Sequence, residues 1–121
     1  MQESGENYLE TILILRQRQG YVRPVDVANE LGYTKASVSR AMSILRETGY
    51  VAVEQSGNLL LTEKGREKAE AIYERHRLIS RFLQQTLGLG EEPATRDACR
   101  IEHIISQETF DRIKAYVRDH G

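Results

Sequence analysis

Residues 24–49, PVDVANELGYTKASVSRAMSILRETG, decide how the chain is read. Pro24 suits the first turn of a short helix, where its missing N–H would have had no partner. Val27, Ala28 and Leu31 follow at helical spacing, and Gly32 stands where a helix C-terminus favours a left-handed residue. Thr34 can cap a second helix, in which Val38, Ala41 and Leu45 turn inward and which ends at Gly49. Lys35, Ala36, Ser37, Ser39, Arg40 and Ser43 are left for solvent or a ligand. Two helices joined by about three residues, the second opening on small, polar and basic side chains, have what is needed to lay a helix in the DNA major groove. Ala36, Ser37 and Ser39 let the backbone approach base edges and phosphates, and Arg40 is long enough to meet a guanine in bidentate fashion. From Leu31 to Arg46 the charges are Lys35, Arg40 and Arg46, with no acid among them. An ordinary helical hairpin with a solvated face would share the helix pattern. It would not explain the two β-prone runs next in the chain, Tyr50 to Glu54 and Asn58 to Thr62 around Gln55, Ser56 and Gly57, which read as a hairpin and hence a wing.

Upstream, Ser4 can cap a first helix in which Tyr8, Ile12 and Leu15 recur at helical spacing, Asn7, Glu10 and Ile14 share a second face, and Gly20 closes the run. Downstream, Thr62 precedes a long amphipathic helix with Ala69, Ile72, His76, Ile79 and Leu83 on one stripe, stopping at Gly88 and Gly90. Thr95 can cap a further helix containing Ala98, Ile101 and Ile105, and Ser106 a last one containing Phe110, Ile113 and Val117. The expected fold is mostly α: a winged helix-turn-helix over residues 1–62, then an α-helical half over 63–121. With 121 residues the core is modest. The apolar stripes of the second half exceed what a small wing could cover, so a homodimer is expected through the helices between Thr62 and Leu87 and between Thr95 and Val117. A net charge of −1 and a pI near 6.3 place any nucleic-acid surface in a local patch. One cysteine excludes an intramolecular disulfide and fits a reducing compartment. No apolar run approaches the roughly 20 residues of a membrane span, and no signal peptide opens the chain, so a cytoplasmic protein with no membrane partner is expected.

A second constellation is Cys99, Glu102 and His103, which at relative positions i, i+3 and i+4 of one helix would share a face within reach of a common ion. Thiolate, carboxylate and imidazole are all metal ligands. Spacing alone leaves the alternative open that Cys99 is a small buried hydrophobe beside a solvated Glu–His pair. His76 interrupts an apolar stripe, where a lone histidine is ordinarily a satisfied core residue. Asn7 and Glu10 share a face whose default meaning is solvent exposure. Were these faces to converge, an ion would join three helices far apart in sequence.

The order of N-terminal helix, winged helix-turn-helix and long helix, with the runs Glu74-Arg75-His76-Arg77 and Asp97-Ala98-Cys99-Arg100-Ile101-Glu102-His103, resembles the diphtheria toxin repressor family over nearly the whole chain. The resemblance implies a repressor that binds palindromic double-stranded operator DNA as a homodimer when loaded with Fe²⁺ or Mn²⁺, for which Co²⁺, Ni²⁺ or Zn²⁺ can substitute. It implies that Cys99, Glu102 and His103 are primary-site ligands of the iron-responsive type. Glu10 and His76 would then serve the second metal position of the manganese-responsive type. Asn7 stands where the iron branch has Met and the manganese branch Asp, and Ser80 and Thr95 replace a Glu and a His of the iron branch's ancillary site. Without the SH3-like domain of longer members, the chain is similar to the short form. Three competing readings remain: a winged-helix regulator sensing a non-metal ligand, a hydrolase with Cys99 as nucleophile and His103 as base, and a pure interaction module. The hydrolase lacks an evident orienting residue and oxyanion loop, so no enzyme is expected.

Overall fold

A computed structural model describes residues 3–121, and among them six helices and one two-stranded sheet are formed. Two compact units result, one reaching to Glu70 and the other running from Ala71 to Gly121. The mostly α expectation holds, and the two compact units meet within the long helix.

In the N-terminal unit, α1 (Glu3–Gln19) packs on α2 (Pro24–Leu31), on α3 (Lys35–Glu47) and on the sheet. Ser4 lies inside α1 and does not cap it, because the helix is already formed at Glu3. Its buried set, Tyr8, Leu9, Ile12, Leu13 and Leu15 with Glu10 and Thr11, is wider than the expected stripe. Pro24 opens α2, where the backbone N–H of Arg23 donates to Asp26 Oδ2 at 2.9 Å. Gly32 ends it at φ +72°, a conformation that needs no Cβ. Thr34 caps α3 by accepting from the Ser37 N–H at 3.1 Å. Val38, Met42 and Leu45 are the buried residues of α3. Met42 thus takes the place expected for Ala41, which is half-buried.

The hairpin forms as expected. Strand β1 (Val51–Val53) pairs antiparallel with β2 (Leu59–Leu61) in the register Val51↔Leu61, Ala52↔Leu60, Val53↔Leu59. One pairing was not legible in sequence: the Leu59 N–H donates to Val22 O at 2.7 Å and the Val22 N–H to Asn58 Oδ1 at 2.9 Å. The segment before α2 is thereby stitched to the wing. The start of α4 (Glu63–Leu87) is held just as tightly to the end of α3. Thr62 Oγ1 donates to Gly49 O at 2.6 Å and accepts from the Gly65 N–H at 3.1 Å, and Lys64 Nζ donates to Thr48 O at 2.9 Å. A Cβ on Gly65 would collide with the Tyr50 carbonyl oxygen and sit 2.9 Å from its carbon.

In the C-terminal unit, Ile79 of α4, Ala98 of α5 (Glu91–Ile101) and Phe110 of α6 (Gln107–His120) make the buried core. Leu78, Leu83, Ile101, Ile105 and Ile113 pack against it. Gly90, not Thr95, is the N-cap of α5, which puts Pro93 in the first turn, where a missing N–H is harmless. Ser106 caps α6 by accepting from the Thr109 N–H at 3.1 Å, as expected.

Candidate metal centre and nucleic-acid interface

Helix α5 ends at Ile101, one residue short of the ligand pair expected on it. Glu102 is its C-cap, still in right-handed helical conformation, and its N–H donates to Ala98 O at 3.0 Å. His103 lies beyond, in the turn towards α6. Cys99 and Glu102 therefore keep their one-turn relation, while His103 reaches Glu102 through the turn and not through an unbroken helix. From α4, His76 arrives at the same place. Its Nδ1 lies 3.1 Å from Glu102 Oε2 and 3.7 Å from Cys99 Sγ. His103 Nε2 lies 3.2 Å from Glu102 Oε1. The Glu102 and His103 side chains are fully buried, the His76 side chain is 17% exposed, and Cys99 is exposed. His76 thus meets Glu102 and Cys99 rather than only apolar neighbours, and Cys99 is exposed, not the small buried hydrophobe that spacing left open.

The decisive atom is Glu102 Oε1. It is buried and, among the described residues, accepts no hydrogen bond, although His103 Nε2 is close. A buried acceptor without a donor costs about 1–3 kcal/mol, more when it carries charge. A buried carboxylate oxygen beside an imidazole nitrogen is a donor pair that a cation could share. A divalent ion with bonds of ~2.1 Å to N or O and ~2.3 Å to S holds neighbouring donors ~3.0–3.6 Å apart. The nitrogen–oxygen separations of 3.1 and 3.2 Å fall in that range and the 3.7 Å between Cys99 Sγ and His76 Nδ1 lies just beyond it, so these residues are of the type and spacing that could hold such an ion. The Cys99 sulfur first, and the Glu102 carboxylate second, hold a proton on His76 and push its pKa from 6.5 up to about 10, against burial, which lowers it. To serve as a ligand, His76 would have to give up that proton.

Asn7 and Glu10 lie on α1 in the N-terminal unit, three residues apart and so on one face. Glu10 is only 7% exposed, which sets aside the default reading of that face as solvated, and Asn7 is half-buried. On α3, Lys35, Ala36, Ser37, Ser39 and Arg40 are all exposed, at the helix N-terminus where orphan N–H groups attract phosphate. The Ser37 hydroxyl accepts from Thr34 Oγ1 at 3.0 Å, leaving its own proton for an acceptor outside. Sequence reasoning missed Arg75, whose guanidinium meets the backbone of the ligand turn; a charged helix residue gives no sign of such a role.

Family models match both halves of the chain: the N-terminal DNA-binding domain of iron-dependent repressors over residues 1–59, and their metal-binding and dimerisation domain over residues 62–120. The chain belongs to the iron-dependent repressor family. It is 37% identical over 110 residues to the HTH-type transcriptional regulator MntR of Geobacillus kaustophilus, covering 91% of this chain and 77% of that protein. An uncharacterised HTH-type transcriptional regulator of Methanocaldococcus jannaschii is 35% identical over 118 residues, covering 97% and 94%. Among solved structures, a manganese-dependent transcriptional repressor in complex with manganese superposes with a TM-score of 0.87 at 30% identity, covering 93% of this chain. The chain spans about half the length of that structure, 52%. The family consists of metal-dependent transcriptional regulators, so the hydrolase reading of Cys99 falls away. No helix among the described residues is long and apolar enough to cross a membrane.

Proposed function

We propose that this chain is a cytoplasmic repressor that binds palindromic operator DNA as a homodimer when its C-terminal half, residues 63–121, holds a divalent transition metal, and that residues 1–62 read the DNA. The observation that carries this is the buried, unsatisfied Glu102 Oε1 facing His103 Nε2, with His76 and Cys99 beside the same carboxylate. Cys99, Glu102, His103 and His76 would hold the metal. Glu10, buried on α1, and Asn7, through its amide oxygen, are proposed as further ligands from the N-terminal unit. Thiolate and imidazole favour Fe²⁺ over Mn²⁺, with Co²⁺, Ni²⁺ and Zn²⁺ as substitutes, whereas the resemblance of Glu10 and His76 to manganese-type ligands keeps Mn²⁺ as the alternative. The ion supplies a divalent positive charge that satisfies the buried carboxylate and draws its ligands into one arrangement. To switch operator occupancy fully, binding must favour the DNA-competent state by roughly 5 kcal/mol.

On the DNA side, Arg40 is assigned to a base edge, Ala36, Ser37 and Ser39 to close approach, and Lys35 to phosphate. Two-fold symmetry follows from palindromic half-sites about one turn, ~34 Å, apart. The test is operator binding measured against Fe²⁺, Mn²⁺, Co²⁺, Ni²⁺ and Zn²⁺ with a chelator control, alongside sedimentation. Metal-dependent binding by a dimer supports the reading. Operator binding that ignores chelation, or a monomer at micromolar concentration with and without metal, overturns it.

A further inference from the structure

We propose that Arg75 is a positioning residue of the metal centre: its guanidinium ties down the turn between α5 and α6 and so sets where Glu102 and His103 present their ligand atoms. The inference rests on the metal-centre reading above and deepens it. Arg75 Nη1 donates to the backbone carbonyl of Glu102 at 2.9 Å and lies 3.5 Å from that of Ile105, while Nη2 donates to Gln107 Oε1 at 3.0 Å. One planar group therefore spans the turn from its first residue to the first residue of α6. Its Cζ lies over the Phe110 ring, 5.1 Å from the centroid, and Phe110 belongs to the core of this unit.

The chemistry suits arginine alone. The carbonyls just past a helix end have lost their intrahelical donors and carry the negative end of the helix dipole, which a fixed cation with several directed N–H groups can satisfy together. Lysine offers a point charge on a flexible stem and cannot reproduce a planar fork over a ring. Arg75 also sits next to His76 in α4. Two consecutive residues of one helix thus fix two sides of the same centre: His76 meets the Glu102 carboxylate, and Arg75 holds the Glu102 backbone that carries it. Without the clamp, the turn bearing two ligands would sample other conformations, and each would have to be ordered again on binding.

The experiment uses the full chain with Co²⁺ as the probe. Calorimetry and the Co²⁺ absorption spectrum are recorded for wild type, Arg75→Met, Arg75→Lys, Gln107→Ala and His103→Ala, together with unfolding of each metal-free protein. Arg75→Met is expected to lose about 10–100-fold in Co²⁺ affinity, the usual effect of removing a group that orients a ligand, and to show an altered spectrum. Arg75→Lys should recover only part of the loss, and Gln107→Ala, which removes one exposed anchor of the clamp, should shift affinity in the same direction by a smaller factor. A folded Arg75→Met with wild-type affinity and spectrum overturns the proposal, as does a variant that loses only metal-free stability. Should Arg75→Met not fold, unchanged affinity and spectrum in both Arg75→Lys and Gln107→Ala overturn it equally. His103→Ala separates the two claims: loss of Co²⁺ there with none in the Arg75 variants sinks the clamp and leaves the metal centre standing. A wild type that binds no Co²⁺ sinks both.

Discussion

Replacing Gly65 by alanine tests how the DNA-binding unit is held together. In an exposed helix this change gains about 1 kcal/mol from propensity. Here the new Cβ would fall on the Tyr50 carbonyl, 2.9 Å from its carbon and nearer still to its oxygen. Backbone on both sides prevents a side chain from yielding, so α4 and the start of β1 would have to part by about 1 Å before even a tight contact was reached. Overpacking of this kind costs about 1–3 kcal/mol. The movement would also strain the bonds from Thr62 to Gly49 and from Lys64 to Thr48, at about 1 kcal/mol each. Set against the propensity gain, a net loss of about 2–4 kcal/mol is expected. That corresponds to roughly 8–16 °C in Tm for a chain of this size. Urea unfolding of the metal-free protein measures it, with Gly90→Ala as control, since a Cβ there meets only Pro93 carbons at 3.8 and 3.9 Å. Because the clamp fixes the wing against the end of α3, operator affinity should fall as well. Gly65→Ala as stable as wild type would refute the close approach and the argument built on it.

Arg40→Ala should cost about 1–3 kcal/mol of specific operator binding and relax sequence preference, while Lys35→Ala should weaken all sequences and lower the salt slope by about 1; equal specific and non-specific losses in Arg40→Ala would remove its base-reading role. His103→Ala should abolish metal-dependent operator binding and leave a folded dimer, and Cys99→Ser should change the Co²⁺ spectrum; normal metal response in the first or an unchanged spectrum in the second contradicts the proposed centre. In the chelated protein, folding raises the His76 pKa from 6.5 to about 10, so the folded state binds this proton more tightly than the unfolded chain. Its contribution is full below pH 6.5 and is lost as pH rises towards 10, so urea midpoints of wild type relative to His76→Gln should converge over that window. A difference that stays constant from pH 6 to pH 10 would show that the raised pKa is not there.

How much of the fold the sequence disclosed depends on which signals are local. Pro24, Gly32, Thr34 and Ser106 act within one turn of where they stand, and each does in the structure what its type predicts. Thr95 misled because a cap residue also fits inside a helix, and Gly90 with Pro93 already started α5. Ala41 and Met42 are adjacent, and a period of 3.6 residues leaves one position of slack that packing alone settles. For Glu10 the residue pattern alone offered solvation as the default, because charge predicts exposure on average and nothing local records its burial; only the family resemblance pointed to a ligand role. Gly65 and the pairing of Val22 with Asn58 and Leu59 are close approaches between segments distant in sequence, so no spacing rule could reveal them. Within the residue pattern His76 was visible only as a flaw in an apolar stripe, and the family resemblance of Glu74-Arg75-His76-Arg77 gave the flaw its meaning.

Nothing in the packing of the C-terminal unit requires a charge where Glu102 stands, since Ile79, Ala98 and Phe110 form its core without polar help. Yet the carboxylate is fully buried, with one oxygen beside His76 and the other without a hydrogen bond. Such a group lowers the stability of the metal-free fold and would be better replaced by an apolar side chain if stability were its only role. Its presence makes sense when a cation relieves the cost, because part of the affinity then comes from ending an unfavourable state of the protein, and binding and local ordering become one event. The location sharpens the point. Glu102 caps a helix at the start of the turn that carries His103, so whatever satisfies the carboxylate also fixes the end of α5 and the entry to α6. Cys99 is the most exposed of these donors, and as a thiolate it would be the softest ligand of the proposed centre, the one that tilts it towards iron over manganese.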